Sequence, residues 1–188
     1  LINKVEIAMK KVLFSLVVML FAVSVASAQM GASVQGGISL PMGTFGDDFD
    51  MGFGGAGTFM YTVAPNVALT GSAGYLMYSG KADGWDMSVI PVTVGARYCF
   101  PAGSVKPYAS AEAGMFFSTV EWEIDMGPLG KYSGDESGSD FGFAVGGGVV
   151  IPVSPTVGVD VSAKYNMIVT EGESTSSIGI MAGVNFAL

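Results

Sequence analysis

Between Ser88 and Phe100 the chain reads SVIPVTVGARYCF, and two kinds of position alternate without a break. Ile90, Val92, Val94, Ala96, Tyr98 and Phe100 share one parity, while Val89, Pro91, Thr93, Gly95, Arg97 and Cys99 share the other. A period of two belongs to a β-strand whose faces meet different surroundings. The apolar face has no polar interruption, and the single charge sits among Thr, Gly and Pro. That inverts a water-soluble strand: the greasy face is the continuous one. Lys106 to Phe117, KPYASAEAGMFF, repeats the pattern, with Ser110, Glu112 and Gly114 on one parity and Ala109, Ala111, Ala113, Met115 and Phe117 on the other.

Six more segments of about ten residues alternate in the same sense. They run from about Gly31 to Leu40, Gly52 to Val63, Val67 to Tyr78, Phe141 to Val153, Val157 to Val169 and Ser177 to Leu188. Their apolar parity includes Val34 and Ile38, Phe53 and Phe59, Leu69 and Tyr75, Phe143 and Val145, Val159 and Val161, and Ile180 and Val184. Eight such strands predict an all-β fold, an eight-stranded antiparallel up-and-down transmembrane β-barrel with lipid outside and a packed polar lumen inside. Eight strands enclose an interior just wide enough for side chains to fill, so a plugged lumen is expected. Aromatic residues gather near strand ends, as interfacial girdles do: Tyr61, Tyr98, Phe100 and Phe186 at one end, Phe53, Tyr75, Phe117, Phe141 and Phe143 at the other.

The links between strands alternate in character. Those near 64–66, 101–106 and 154–156 are short and contain Pro, and those near 41–51, 79–87, 119–140 and 170–176 are longer and acidic. Short turns on one side and long loops on the other are the asymmetry of outer-membrane barrels. The long links are expected to hold 13 carboxylates, leaving Glu112 and Asp160 as the only acids inside strands. With Arg97 and Lys164 these are the expected charges of the spanning strands, all on the inward parity. A lumenal network of Arg97, Glu112, Asp160 and Lys164 follows, one that neutralises charge where water is scarce. Its role is expected to be structural.

Ahead of the strands, Met9 to Ala28 reads MKKVLFSLVVMLFAVSVASA: two lysines, an apolar run, and Ala26-Ser27-Ala28 before Gln29. This predicts a secretory signal peptide at 9–28, an upstream extension at 1–8 and a barrel domain at 29–188; a helical anchor is disfavoured because the run is short. Half of the 188 residues are hydrophobic, 13% are charged and 28 are Gly, which suits neither a disordered chain nor a helical enzyme. Without residues 1–28 the chain carries 15 acidic and 5 basic side chains, a net of −10. That balance argues against nucleic acid as a partner. Cys99 stands alone, so no disulfide framework is expected.

No catalytic, cofactor or metal site is predicted. The chain has no His, which removes Ser-His dyads, His bases and His-metal sites. The runs GFGGAG and VGGGVV lack the Lys-Ser/Thr of a phosphate loop and read as small residues packing a narrow lumen. Asp47, Asp48, Asp50, Asp135 and Glu136 offer hard oxygens but no ordered ligand spacing, so solvation is the expected role over Ca²⁺ binding. Glu121-Trp122-Glu123-Ile124-Asp125 continues the alternation beyond the membrane, which predicts a protruding ribbon before Gly127-Pro128. Exposed Trp122 and Ile124, with Tyr132 on the return, either offer a strand edge to a surface partner through 119–140 or pack on neighbouring loops.

SVIPVTVGARYCF followed by KPYASAEAG, the FGFAVGGGVVIPVSP hairpin, VDVSAKYN and the alternation into Val184-Asn185-Phe186 together carry a resemblance. Over residues 29–188 the chain resembles the small outer-membrane β-barrel proteins of Gram-negative bacteria, and is similar to the OmpA membrane domain and to OmpX. The resemblance implies an outer-membrane location amid lipid and lipopolysaccharide. It also implies an assembly signal in the last strand, read by the barrel-insertion machinery, here Val184, Phe186 and Leu188 with Leu as the final residue. A peptidoglycan-binding domain is not expected, nor the wall-anchoring role that goes with one. Three functional classes follow: a non-enzymatic barrel for envelope structure or surface interaction, which is favoured; a narrow porin-like channel for small solutes; and a soluble ligand-binding barrel of lipocalin type, which would need a polar exterior.

Overall fold

The computed structural model describes residues 30–81, 84–125, 131–170 and 174–188, and of 124, 125, 131 and 132 only the backbone. The leader expected at 9–28 and the extension at 1–8 lie outside the described residues. So do Asp83, Glu171 and Glu173 of the acidic links.

Eight strands close on themselves: β1 (Met30–Met42), β2 (Gly52–Ala64), β3 (Val67–Ser79), β4 (Trp85–Cys99), β5 (Lys106–Asp125), β6 (Lys131–Pro152), β7 (Val157–Val169) and β8 (Ser174–Ala187). Each pairs antiparallel with the next, and β1 pairs with β8 from Gly31↔Ala187 to Met42↔Ser176. Closure removes both sheet edges, the condition for backbone to cross hydrocarbon. The alternation fixes which face is which. Val94 is 68% exposed and flanked along β4 by buried Thr93 and half-buried Gly95. Phe53, Phe59, Tyr75, Ile90, Val92, Phe117, Phe143, Val145 and Val161 also point outward and exposed. An exterior so apolar is wrong for water and right for lipid, which removes the soluble lipocalin-type reading.

At one end Met30 and Leu188, the first and last described residues, meet the links 65–66, 100–105 and 153–156. The tightest is Pro65-Asn66, where Asn66 takes a positive φ of 68°, a conformation Asn tolerates better than most residues. The other end differs from the sequence expectation. Strands β4, β5 and β6 run on past the membrane, so that the links expected at 79–87 and 119–140 shrink to 80–84 and 126–130, and the last, expected at 170–176, to 170–173. Asp86, Glu121, Glu123, Asp125, Asp135, Glu136 and Asp140 therefore lie in strands, not in loops. Only 43–51 remains a long link, and it folds a short helix, α1 (Thr44–Asp48). Its C-terminal end is tied to the end of β3 and the link after it by Asp50 N–H to the Ser79 carbonyl and Lys81 N–H to the Asp48 carbonyl, each 2.9 Å.

Candidate functional site

The lumen is built in layers. On β4, β5 and β7 the inward residues recur every two positions and the layers every four, so Arg97, Tyr108 and Asp160 share one level, Thr93, Glu112 and Lys164 the next, and Val89, Phe116 and Ile168 the third.

In the lowest layer the Arg97 guanidinium approaches Asp160 at 3.5 Å and lies 3.8 Å over the Tyr108 ring, while the Tyr108 hydroxyl donates to Asp160 at 2.8 Å. Arg97 is 3% and Asp160 0% exposed. A charge so far from water is held by the partner, the aromatic face and the hydroxyl together. In the middle layer Lys164 Nζ donates to Glu112 at 2.7 Å, and the Thr93 hydroxyl donates to the other Glu112 oxygen at 2.8 Å. Between them Gln35 donates to Ser162 at 3.1 Å. The four charges are thus brought together as two pairs on two levels. Tyr108 is a member that parity alone offered and charge did not flag: it lies four residues before Glu112, on the same face.

The third layer is apolar. Leu76, Tyr78, Val89, Phe116 and Ile168 fill the barrel's outer half, and α1 lowers Phe45 onto them. Phe45 is 9% exposed, with its ring edge-on to Tyr78 at 5.0 Å and tilted against Phe49 at 5.2 Å. The Tyr78 hydroxyl donates to Ser39 at 2.8 Å. What space remains is small: about 50 Å³ beside the middle layer and about 30 Å³ beneath Phe45.

Beyond the rim β5 and β6 pair on as a ribbon, in register from Phe117↔Ser139 to Asp125↔Lys131. Its β5 side pairs on to β4 as far as Trp85↔Trp122, and Glu123 N–H donates to the Gly84 carbonyl at 2.8 Å. Its β6 side does not: β7 begins pairing only at Phe141↔Val169. Among the described residues, 131–140 therefore have a strand on one side alone. Trp122, expected as exposed, is half-buried, because its indole covers Gly134, where an added Cβ would fall 2.4 Å from the ring. Ile124 and Tyr132 face each other in the ladder, and their side chains lie outside what the structure describes. On the outward face Asp86, Glu121 and Asp135 stand directly opposite one another across three strands.

Val184 and Phe186 project outward from β8, opposite Val34 and Ala32 of β1, and Leu188 N–H donates to the Met30 carbonyl at 2.8 Å.

A family model described as outer membrane protein beta-barrel domain matches residues 13–186. The chain belongs to this family. Membership places it in the bacterial outer membrane, with its strands as the spanning elements. Among solved structures it is similar to a major outer membrane protein of Thermus thermophilus, at a TM-score of 0.68 and 10% identity over 86% of this chain and 100% of that one. It is also similar to Neisserial surface protein A, at 0.60 and 21% over 86% and 97%. A third is Ail, the attachment invasion locus protein of Yersinia pestis, solved with the heparin analogue sucrose octasulfate, at 0.50 and 18% over 85% and 97%. At these identities the likeness is one of fold. A comparison with curated proteins gives no match.

Proposed function

We propose that this family member is a non-enzymatic integral outer-membrane protein whose closed barrel carries a surface-contact ribbon, serving envelope structure or surface interaction. The observation that carries the reading is the one-sided pairing of 131–140 above a lumen closed at three levels. An unpaired strand edge accepts an extended segment of another chain through main-chain hydrogen bonds. Asp135, Glu136 and Asp140 on that edge, with Asp86 and Glu121 beside it, favour a basic segment and disfavour a sulfated polyanion of the kind held by Ail. The lumenal charge pairs serve the barrel's stability.

The test replaces 119–138 with a two-residue turn and measures binding of a lysine-rich extended peptide to the purified protein in bilayer nanodiscs. The shortened protein should keep its heat-modifiable gel migration and lose the peptide. Undiminished binding would move the contact away from the ribbon. The alternative, a narrow channel for small solutes, is separated by planar-bilayer recording: the proposed lumen gives no conductance steps.

A further inference from the structure

The open edge of the ribbon carries a fixed order of backbone groups, charges and glycines. On β4 the inward Cys99 turns its N–H back toward β3, to the Asn66 carbonyl, and the outward Phe100, just past the strand, turns its N–H on toward β5, to the Pro107 carbonyl, each at 2.8 Å. β6 runs the same way as β4, since both are antiparallel to β5. Its outward residues therefore direct N–H and C=O away from β5. Along 133–139 these are Ser133, Asp135, Ser137 and Ser139, all exposed. An antiparallel strand added at this edge exchanges both main-chain bonds with those residues. It meets Gly134, Glu136 and Gly138 in the narrower pairs between them, where side chains come closest.

The two faces of the edge ask for different side chains. On the outer face Asp86, Glu121 and Asp135 make a row of like charges across β4, β5 and β6, and the row ends at the edge. Its next place, about 4.8 Å further on, falls on the added strand. A Lys or Arg there offsets a row that is unfavourable by itself. On the inner face Glu136 is exposed and takes a second cation at the neighbouring position. Gly138, on that same face, has open space where a Cβ would stand, with no atom of the described residues within 4 Å. Gly134 shows what such a glycine accepts, because the Trp122 indole already lies across it. An aromatic side chain from the added strand can cover the bare backbone of Gly138 in the same way.

We propose that the edge selects an antiparallel segment in which an aromatic residue stands three positions before a cation, with a second cation immediately before that one. The order follows from the pairing. Partner numbering falls as that of β6 rises, so the residue opposite Gly138 precedes the residue opposite Asp135 by three, and the residue opposite Glu136 precedes it by one. The aromatic and the first cation then share the inner face and the last cation takes the outer one. This rests on the ribbon reading above and goes beyond it in fixing order, spacing and face.

The test measures binding of two peptides to the whole protein in bilayer nanodiscs: TTWTKKTT, which fits the register, and TWTTKKTT, which moves the tryptophan one place and so onto the opposite face. The first should bind about fivefold tighter than the second. Gly138→Val fills the open space and should bring the two affinities together by weakening the first alone; the site is exposed, so heat-modifiable gel migration should stay as it is. Asp135→Asn should weaken both peptides alike. Equal affinities for the native protein, tighter binding of the second peptide, or a preference that survives Gly138→Val would each overturn the register. If both peptides bind equally and both are lost on shortening 119–138, the ribbon reading stands without the register; if both bind the shortened protein, the ribbon reading falls too. Binding of neither peptide to the native protein overturns both.

Discussion

Removing Asp160 alone should unfold this barrel far more readily than removing Asp160 and Arg97 together. In Asp160→Ala the Arg97 guanidinium stays 3% exposed, with no carboxylate at 3.5 Å, and the Tyr108 hydroxyl loses its acceptor at 2.8 Å. Breaking a buried pair from one side costs about 3 to 5 kcal/mol, because an uncompensated charge is left behind. An orphaned buried hydroxyl costs about 1 to 3 kcal/mol, and part of that is already counted in the relaxation around Arg97. A loss of about 4 kcal/mol is expected, roughly a thousandfold in the folding equilibrium. Arg97→Met with Asp160→Leu removes both charges and keeps the volume, a change that is often neutral or better. The double variant should recover most of the loss, giving a coupling of about 3 kcal/mol. Guanidinium titrations in detergent, read by the folded and unfolded gel bands, of the native protein, Arg97→Met, Asp160→Leu and the double variant supply all four corners of the cycle. If Asp160→Ala costs under about 1 kcal/mol, or if the two single losses simply add in the double variant, the pair does not hold the lumen together.

Val94 faces lipid near the middle of the wall, so Val94→Arg should cost about 2 to 4 kcal/mol in the same titration, and a spin label at Val94 or Val161 should report acyl chains where labels at Thr93 or Ser162 do not. Gly95→Ala places a Cβ 2.1 Å from the Ala111 carbonyl oxygen and should cost about 1 to 3 kcal/mol, whereas Gly71→Ala meets nothing within 4 Å and should leave the midpoint unchanged. Glu121→Thr removes the middle member of the Asp86–Glu121–Asp135 row, where like charges oppose directly; hydrogen exchange of the ribbon amides should slow, and added salt should slow it in the native protein more than in the variant.

The barrel was legible because its signal is written twice per strand. In β4 and β7 the apolar parity and the placement of Arg97, Asp160 and Lys164 agree, and either would have fixed the inward face. The rim was less legible for a physical reason. KYSGDESGSD, residues 131–140, has the Ser, Gly and Asp of a loop, and it becomes strand because β5 supplies a partner along its whole length. Strand preference of that kind comes from pairing, not from the residue itself. The α1 plug escaped too, since five residues between Gly43 and Phe49 carry no helical period. Which charge meets which across the lumen depends on the stagger of β7 against β4 and β5, strands that are not neighbours of one another in every case, and no single strand contains it.

The seam between β1 and β8 joins the first described strand to the last. Until β8 arrives, a growing chain holds two open edges, from Gly31 to Met42 on one side and along β7 on the other, with their N–H and C=O groups bare. Neither edge tolerates hydrocarbon. Passage into the bilayer and completion of the ring are then bound together, because a half-closed sheet leaves bare edges that hydrocarbon does not accommodate.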